Sequence, residues 1–227
     1  MNMVLERAKS AWLLAFGDVV TLLITFFIMT IAMNKGEISK IEKWVDLQIT
    51  ESYQVLENEA KKQKLEVITV KRTARGVLLT IQSDNAFQSG QFSPTPQLQT
   101  ELRVISKLLA KTPLLNIEQS EDNRLVIQKA NEEGLIWHSE IVIEGHTDND
   151  HIDPRSRLRN NFFLSTLRAQ AVMEALYEQS GLPASLFSVS GYGEWHPIVA
   201  NDTEQDKRLN RRVNILIRAN FQNNQAW

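Results

Sequence analysis

No cysteine occurs in the 227 residues, which excludes disulfide frameworks, thiol catalysis and zinc sites built from thiolates. A surplus of one charge is missing too: 25 Lys and Arg stand against 27 Asp and Glu, and the pI is near 6.1. That balance argues against a surface made to neutralise a nucleic-acid backbone. No nucleophile elbow, Gly-rich phosphate loop or paired-carboxylate hydrolase pattern is found, so nothing in the sequence points to an enzyme. The most informative absence is local. From Ala11 to Met33 the only charge is Asp18, whereas the rest of the chain is densely charged. The length allows one or two domains, and this partition predicts a membrane segment joined to a soluble module.

Twenty-three helical residues reach roughly 35 Å, enough to cross a hydrocarbon core of about 30 Å. The run is too long for the apolar part of a signal peptide and lacks a small-x-small cleavage site at Thr30-Ile31-Ala32-Met33, so an uncleaved anchor is expected. Lys and Arg flank both ends and do not decide its orientation. Burying an ionised carboxylate in a bilayer costs about 3 kcal/mol or more, so an intramembrane acid normally faces a partner or a water-filled path. Thr21 and Thr25, at +3 and +7, fall on the Asp18 face of a helix, and such a site could bind and release a cation. The competing reading is that Asp18 marks where the helix enters the headgroup region.

Beyond the span, Ile38, Ile41, Val45 and Ile49 recur at helical spacing, with Trp44 beside them, among Glu37, Lys40, Glu42, Lys43 and Asp46. Asn34-Lys35-Gly36 interrupts the apolar run, and an amphipathic helix, a dimer seam or packed face, is expected just beyond it. Glu59 to Lys64 reads as a polar stalk or linker. From about Glu66 the pattern becomes alternating and β-branched. Strands are expected at Glu66–Val70, Val77–Ile81, Ile141–Glu144, Leu186–Ser190 and Val213–Ile217, with helices after Pro94 and Pro96 and from Asn161 to Gln179. Asp122-Asn123 is read as a turn between two short strands. The fold class is therefore a single N-terminal transmembrane helix plus an α/β sandwich with helices on one sheet face.

Arg168 shares a helical face with Leu164 and Val172, where an apolar residue is the default. Such a charge needs a partner, and Asp148, just after a strand, is the natural one. The two form either a structural salt bridge or a receptor for a zwitterion, Asp148 taking an ammonium and Arg168 a carboxylate. His146, Asp148, Asp150, His151 and Asp153 have no metal-ligand spacing, so no metal is expected and His146 reads as a hydrogen-bonding residue beside the pocket. Arg155, Arg157 and Arg159 lack interleaved aromatics, which disfavours nucleic acid; a solvated loop is the alternative.

Trp12, Asp18, Thr21 and Phe26-Phe27 resemble the single membrane helix of MotB/PomB subunits of ion-driven rotary motors, although ExbD/TolR-type energisers also have one helix with one aspartate. The second half discriminates. Glu144-Gly145-His146-Thr147-Asp148, then Asn161-x-x-Leu164-Ser165-x-x-Arg168-Ala169, then Gly191-Tyr192-Gly193-Glu194 and Asn210-Arg211-Arg212-Val213 are similar in order and content to the OmpA-like peptidoglycan-binding domain. The loop His151 to Arg159 is longer than the family's usual one.

The resemblance implies that Asp148 and Arg168 hold the diaminopimelate of a wall stem peptide, with Asn161, Leu164 and Arg212 lining the site. It implies that Ile38, Ile41, Trp44 and Val45 act as a plug, and that Asp18, with Thr21 and Thr25, carries H⁺ or Na⁺. No cofactor is implied besides that cation. The expected partners are a MotA-like multi-helix subunit, a second copy of the chain and peptidoglycan. The expected layout is a cytoplasmic N-terminus (1–10), a span (11–33), a plug and linker (34–65), a wall-binding domain (66–220) in the periplasm behind the bacterial inner membrane, and a polar tail (221–227). Flagellar rotation is the expected output; a related motor serving another process such as phage defence, or a passive membrane-to-wall tether, are the alternatives.

Overall fold

The computed structural model describes residues 2–88, 90–117 and 120–224, without the side chains of 2–10 and 33–39. It divides into two compact units, Met1–Val45 and Asp46–Trp227.

Helix α1 (Asn2–Lys62) contains one stretch, Ala11–Ala32, long and apolar enough to cross a membrane, with a mean hydropathy of 2.2 and none of it buried. The helix continues through Asn34-Lys35-Gly36, where the apolar run ends, into the amphipathic stretch beyond it. A single glycine costs a helix only about 1 kcal/mol. Within the second unit, the α1 residues from Asp46 onward are not a free linker. Ile49, Ser52 and Leu56 are buried, and Ser52 Oγ accepts the Leu114 backbone N–H at 3.1 Å. Arg72 joins this stretch to β1 through Asp46 and, at 3.1 Å, through Thr50 Oγ1.

The sheet has the order β1-β2-β5-β3-β4, formed by β1 (Ile68–Thr73), β2 (Gly76–Gln82), β3 (Leu135–His146), β4 (Phe187–Gly191) and β5 (Arg212–Asn223). All neighbours are antiparallel except β3 and β4, which are parallel. Alternation places one residue in two on a common face. The register lines up Val77, Ile217 and Ile141 in one row and Leu79, Ile215 and Ile143 in the next, all fully buried. A third row, Ile81, Val213 and Gly145, ends on a residue without a side chain. A Cβ on Gly145 would lie 2.0 Å from the Ser165 carbonyl oxygen, so this glycine lets α5 (Asn161–Ser180) lie directly on β3.

Short α2 (Ser83–Ala86) follows β2, and α3 (Pro96–Leu109) starts from a Thr95 cap and packs on α5. The two strands expected around Asp122-Asn123 are instead one helix, α4 (Glu121–Glu132), with Glu121 and Asp122 favourably placed in its first turn. Gly134, at φ 79°, follows it. All five strands are longer or shifted relative to expectation: β1 runs 68–73, β2 gains a residue at each end, β3 begins at Leu135, β4 runs 187–191, and β5 continues to Asn223, where its outer part pairs with the start of β3.

Buried Glu101 on α3 holds the approach to β1. Its carboxylate accepts the backbone N–H groups of Glu66, Val67 and Ile68 at 2.9 to 3.1 Å. Glu101→Ala should strand those donors and cost about 1–3 kcal/mol, read as a lower urea midpoint of the full chain with an unchanged slope.

Candidate functional site

The loop after β3 and the first turns of α5 enclose a cleft of about 470 Å³ with residues around α2 and with Arg211, which caps the short helix Glu204–Asn210 just before β5. Asp148, Asn161, Leu164 and Arg168 all line it, so the structure brings together four of the five residues expected there.

Arg168 continues the α5 stripe of Leu164, Val172 and Leu176 and is only 4% exposed. Its Nε donates to the Gln91 carbonyl at 3.0 Å, and its guanidinium lies 5.1 Å from the centre of the Phe87 ring. Burial lowers its pKa to about 10 against the opposing pull of Asp148 and Asp84, so it stays charged at neutral pH. Asp148 is also buried, but its ion-pair partner is not Arg168. Its Oδ2 accepts from Arg211 Nη1 at 2.5 Å and its Oδ1 from the Asp150 N–H at 3.1 Å. Arg211 in turn grips Asp84 with two bonds of 2.7 and 2.9 Å. Those bonds hold the Asp84 carboxyl below its usual range and raise Arg211. Three carboxylates, Asp84, Asp148 and Asp150, and two guanidiniums thus line one cleft, which offers groups of both signs, as a zwitterionic ligand requires.

Asn161 acts as a clasp. Its amide donates to the carbonyls of Asp148 (3.3 Å) and Asp150 (2.9 Å) and to Glu194 Oε2 (2.7 Å), tying the loop after β3 to the loop after β4. Thr147 adds a backbone bond to the Gly193 carbonyl at 2.9 Å.

In the other unit, Asp18 is exposed on α1, surrounded by outward apolar side chains such as Leu14, Leu22 and Phe26. The Thr21 hydroxyl donates to the Asp18 backbone carbonyl at 2.9 Å, and that of Thr25 to the carbonyls of Thr21 and Leu22. Neither hydroxyl proton is directed at the carboxylate. Among the described residues no donor bonds to it. Ile41, Trp44 and Val45 are half-buried; the Ile38 side chain lies outside the described residues.

Residues 115–211 match the OmpA family, and residues 5–47 match the family described as membrane MotB of the proton-channel complex MotA/MotB. This chain is MotB-like, with an OmpA-like domain. Motility protein B of Bacillus subtilis is 34% identical over 158 residues, 69% of this chain and 51% of that protein, so the chain spans about half the length of that relative. A second Bacillus subtilis protein, the uncharacterized YtxE, is 26% identical over 244 residues, covering 94% of this chain and 90% of that one. The fold resembles the crystal structure of a putative MotB-like protein from Desulfovibrio vulgaris, with a TM-score of 0.62 and 19% identity, over 79% of this chain and 99% of the other.

In the MotB-like chain the Asn210-Arg211-Arg212 motif brings Arg211, not Arg212, to the cleft. Val213, Ile215 and Ile217 mark the β5 face turned toward α5, and Arg211 shares their parity. Arg212 lies on the opposite face and donates to the Asn210 and His196 carbonyls, both at 3.2 Å. Strand parity alone could have assigned these roles. Asp84 had no comparable signal, because the single-turn helix α2 after β2 delivers it.

His146 pairs in register with Arg212 and stacks 5.3 Å from Tyr192. It is buried with neither ring nitrogen hydrogen-bonded, so it is a packing residue rather than the hydrogen-bonding one expected. Burial, then Arg212 and His196, lower its pKa from 6.5 to about 3. The unfolded chain protonates this ring below about pH 6.5 while the folded chain does not, so its contribution to stability falls as pH drops from 6.5 toward 3. In His146→Phe, stability measured by urea unfolding should fall less steeply over that window.

Proposed function

We propose that this chain is the wall-anchored B subunit of an ion-driven motor in the bacterial inner membrane, crossing it once and holding its OmpA-like domain in the periplasm. Asp18 binds H⁺ or Na⁺, becomes neutral and releases the ion on the other side, while a MotA-like multi-helix subunit moves around a dimer of this chain. The domain grips the diaminopimelate end of a peptidoglycan stem peptide, its ammonium on Asp148 and its carboxylate on Arg168. The output is flagellar rotation.

The observation that carries this reading is the pairing, in one chain, of an apolar span with a single exposed carboxylate and a cleft lined by both carboxylates and guanidiniums. An energiser that needs no wall grip has no use for the second, and a passive tether has no use for the first. Affinity purification of the full chain from its native membrane tests the reading. A protein with several membrane helices should co-purify, and deletion of the chain should stop rotation of tethered cells. Purification without such a partner, together with unchanged rotation, would exclude it. Ile38, Ile41, Trp44 and Val45 are proposed to keep the ion path shut before the domain reaches the wall, and deleting 38–45 should raise ion leak into growing cells.

A further inference from the structure

The loop between β3 and α5 contributes His151 and Ile152 to the cleft and then turns away, displaying three guanidiniums. Arg155, Arg157 and Arg159 are exposed, and among the described residues none has a carboxylate within 4.0 Å. Arg72, Arg208, Arg211 and Arg218 each have one. Residues 154–159 hold no acid, and the nearest in sequence, Asp153, accepts the Arg155 backbone N–H at 2.9 Å. Like charges this close in sequence repel one another when no counter-charge is supplied.

The loop is nevertheless shaped. Ser156 N–H bonds the Asp153 carbonyl at 2.9 Å and Arg159 N–H that of Ser156 at 3.2 Å. Arg159 adopts φ 58°, the left-handed region that costs a non-glycine residue about 1 kcal/mol, and its guanidinium stands 5.9 Å from the Phe163 ring centre. A set of planar cations without carboxylate partners, carried on a shaped loop backbone, suits anionic oxygens that accept two parallel N–H bonds, as phosphates do.

We propose that this loop binds a phosphodiester polymer carried by the cell wall, alongside the peptide in the cleft. The proposal rests on the wall-facing reading above, which puts the loop where such a polymer would be. Charge complementarity selects the polyanion. Because one loop serves both contacts, capture of the peptide raises the effective concentration of polymer at the arginines, and the reverse.

The test is a sedimentation assay of the full chain in detergent with purified sacculi, either intact or stripped of phosphodiesters by hydrofluoric acid. The wild-type chain should bind intact walls about tenfold more tightly than stripped ones at low salt, the advantage fading as salt rises. With Arg155→Ala, Arg157→Ala and Arg159→Ala combined, intact walls should bind no better than stripped ones. Unchanged binding to stripped walls shows that this variant is folded. Asp148→Asn should instead lose the stripped-wall component. Equal wild-type affinity for both walls, or a preference that survives the triple substitution, overturns the proposal. Displacement of the wild-type chain from intact walls by phosphatidylglycerol vesicles would also overturn it, assigning the loop to membrane lipid. A wild-type chain that binds stripped walls no better than Asp148→Asn removes the peptide reading and leaves the loop's own comparison standing.

Discussion

Asp18→Asn should abolish rotation while leaving the protein in the membrane with its partner. Asparagine keeps the size and polarity of aspartate but cannot bind and release a cation. Moving one charge through 100 mV supplies about 2.3 kcal/mol, and that energy does work only if each crossing passes through a group that changes charge. The geometry favours Asp18 as that group. Its carboxylate is exposed and has no donor among the described residues, and the hydroxyls of Thr21 and Thr25 donate to the helix backbone. If Na⁺ is the ion carried, its remaining ligands should come from outside this helix. Asp18→Glu, which retains the charge but displaces it by one methylene, should keep a fraction of the torque. The measurement is the rotation speed of tethered cells, with co-purification of the membrane partner as the control for assembly. Normal speed in Asp18→Asn would remove the carrier role, whatever the domain binds.

The parts of this fold that were legible in the sequence are those in which one force dominates. Charge exclusion alone marked residues 11 to 33, because desolvating a charge outweighs any local propensity there. The inner strands were legible because Val77, Leu79, Ile81, Ile141, Ile143, Val213, Ile215 and Ile217 alternate with residues on the other face. The failures fall where signals compete. The run Leu125-Val126-Ile127 reads as β-branched strand, yet burial of Ile127 and Ala130 three residues apart and acids in the first turn make α4 a helix. The start of β3 was missed because Ile136 is exposed and His138, Ser139 and Glu140 interrupt the apolar pattern; its order comes from pairing with β5, a contact remote in sequence.

At the site, residue types were legible but pairings were not. A buried arginine in an apolar stripe announces that Arg168 has a task, and its burial follows. Which cation neutralises Asp148 depends on Arg211, brought in by a strand far along the chain, and on Asp84, brought in by the single-turn helix α2. The consequence is chemical. Asp148 is already paired before any ligand arrives, so an incoming ammonium must share it with Arg211 or push Arg211 onto Asp84, which already holds it by two bonds. On the proposed reading, Arg211 should therefore moderate the affinity for that ligand.

Arg168→Ala should lose both most of the affinity for stem peptide and the ability to recognise the ligand's carboxylate. Truncating one partner of a desolvated, charge-assisted pair costs about 2–4 kcal/mol, or roughly 30- to 1000-fold in binding. The cleaner measurement is a comparison of ligands. Peptides ending in diaminopimelate or in lysine share the side-chain ammonium and differ by one carboxylate. If Arg168 holds that carboxylate, the wild-type chain should prefer diaminopimelate, and Arg168→Ala should bind the two peptides equally. Arg168→Lys keeps the charge without the planar fork and should recover only part of the preference. Asp148→Asn should weaken both peptides by the same factor, since the ammonium is common to them. A general loss of folding cannot produce this pattern, because it would reduce all affinities without altering their ratio. A preference for diaminopimelate that persists in Arg168→Ala would assign the carboxylate to Arg211, the other guanidinium in the cleft.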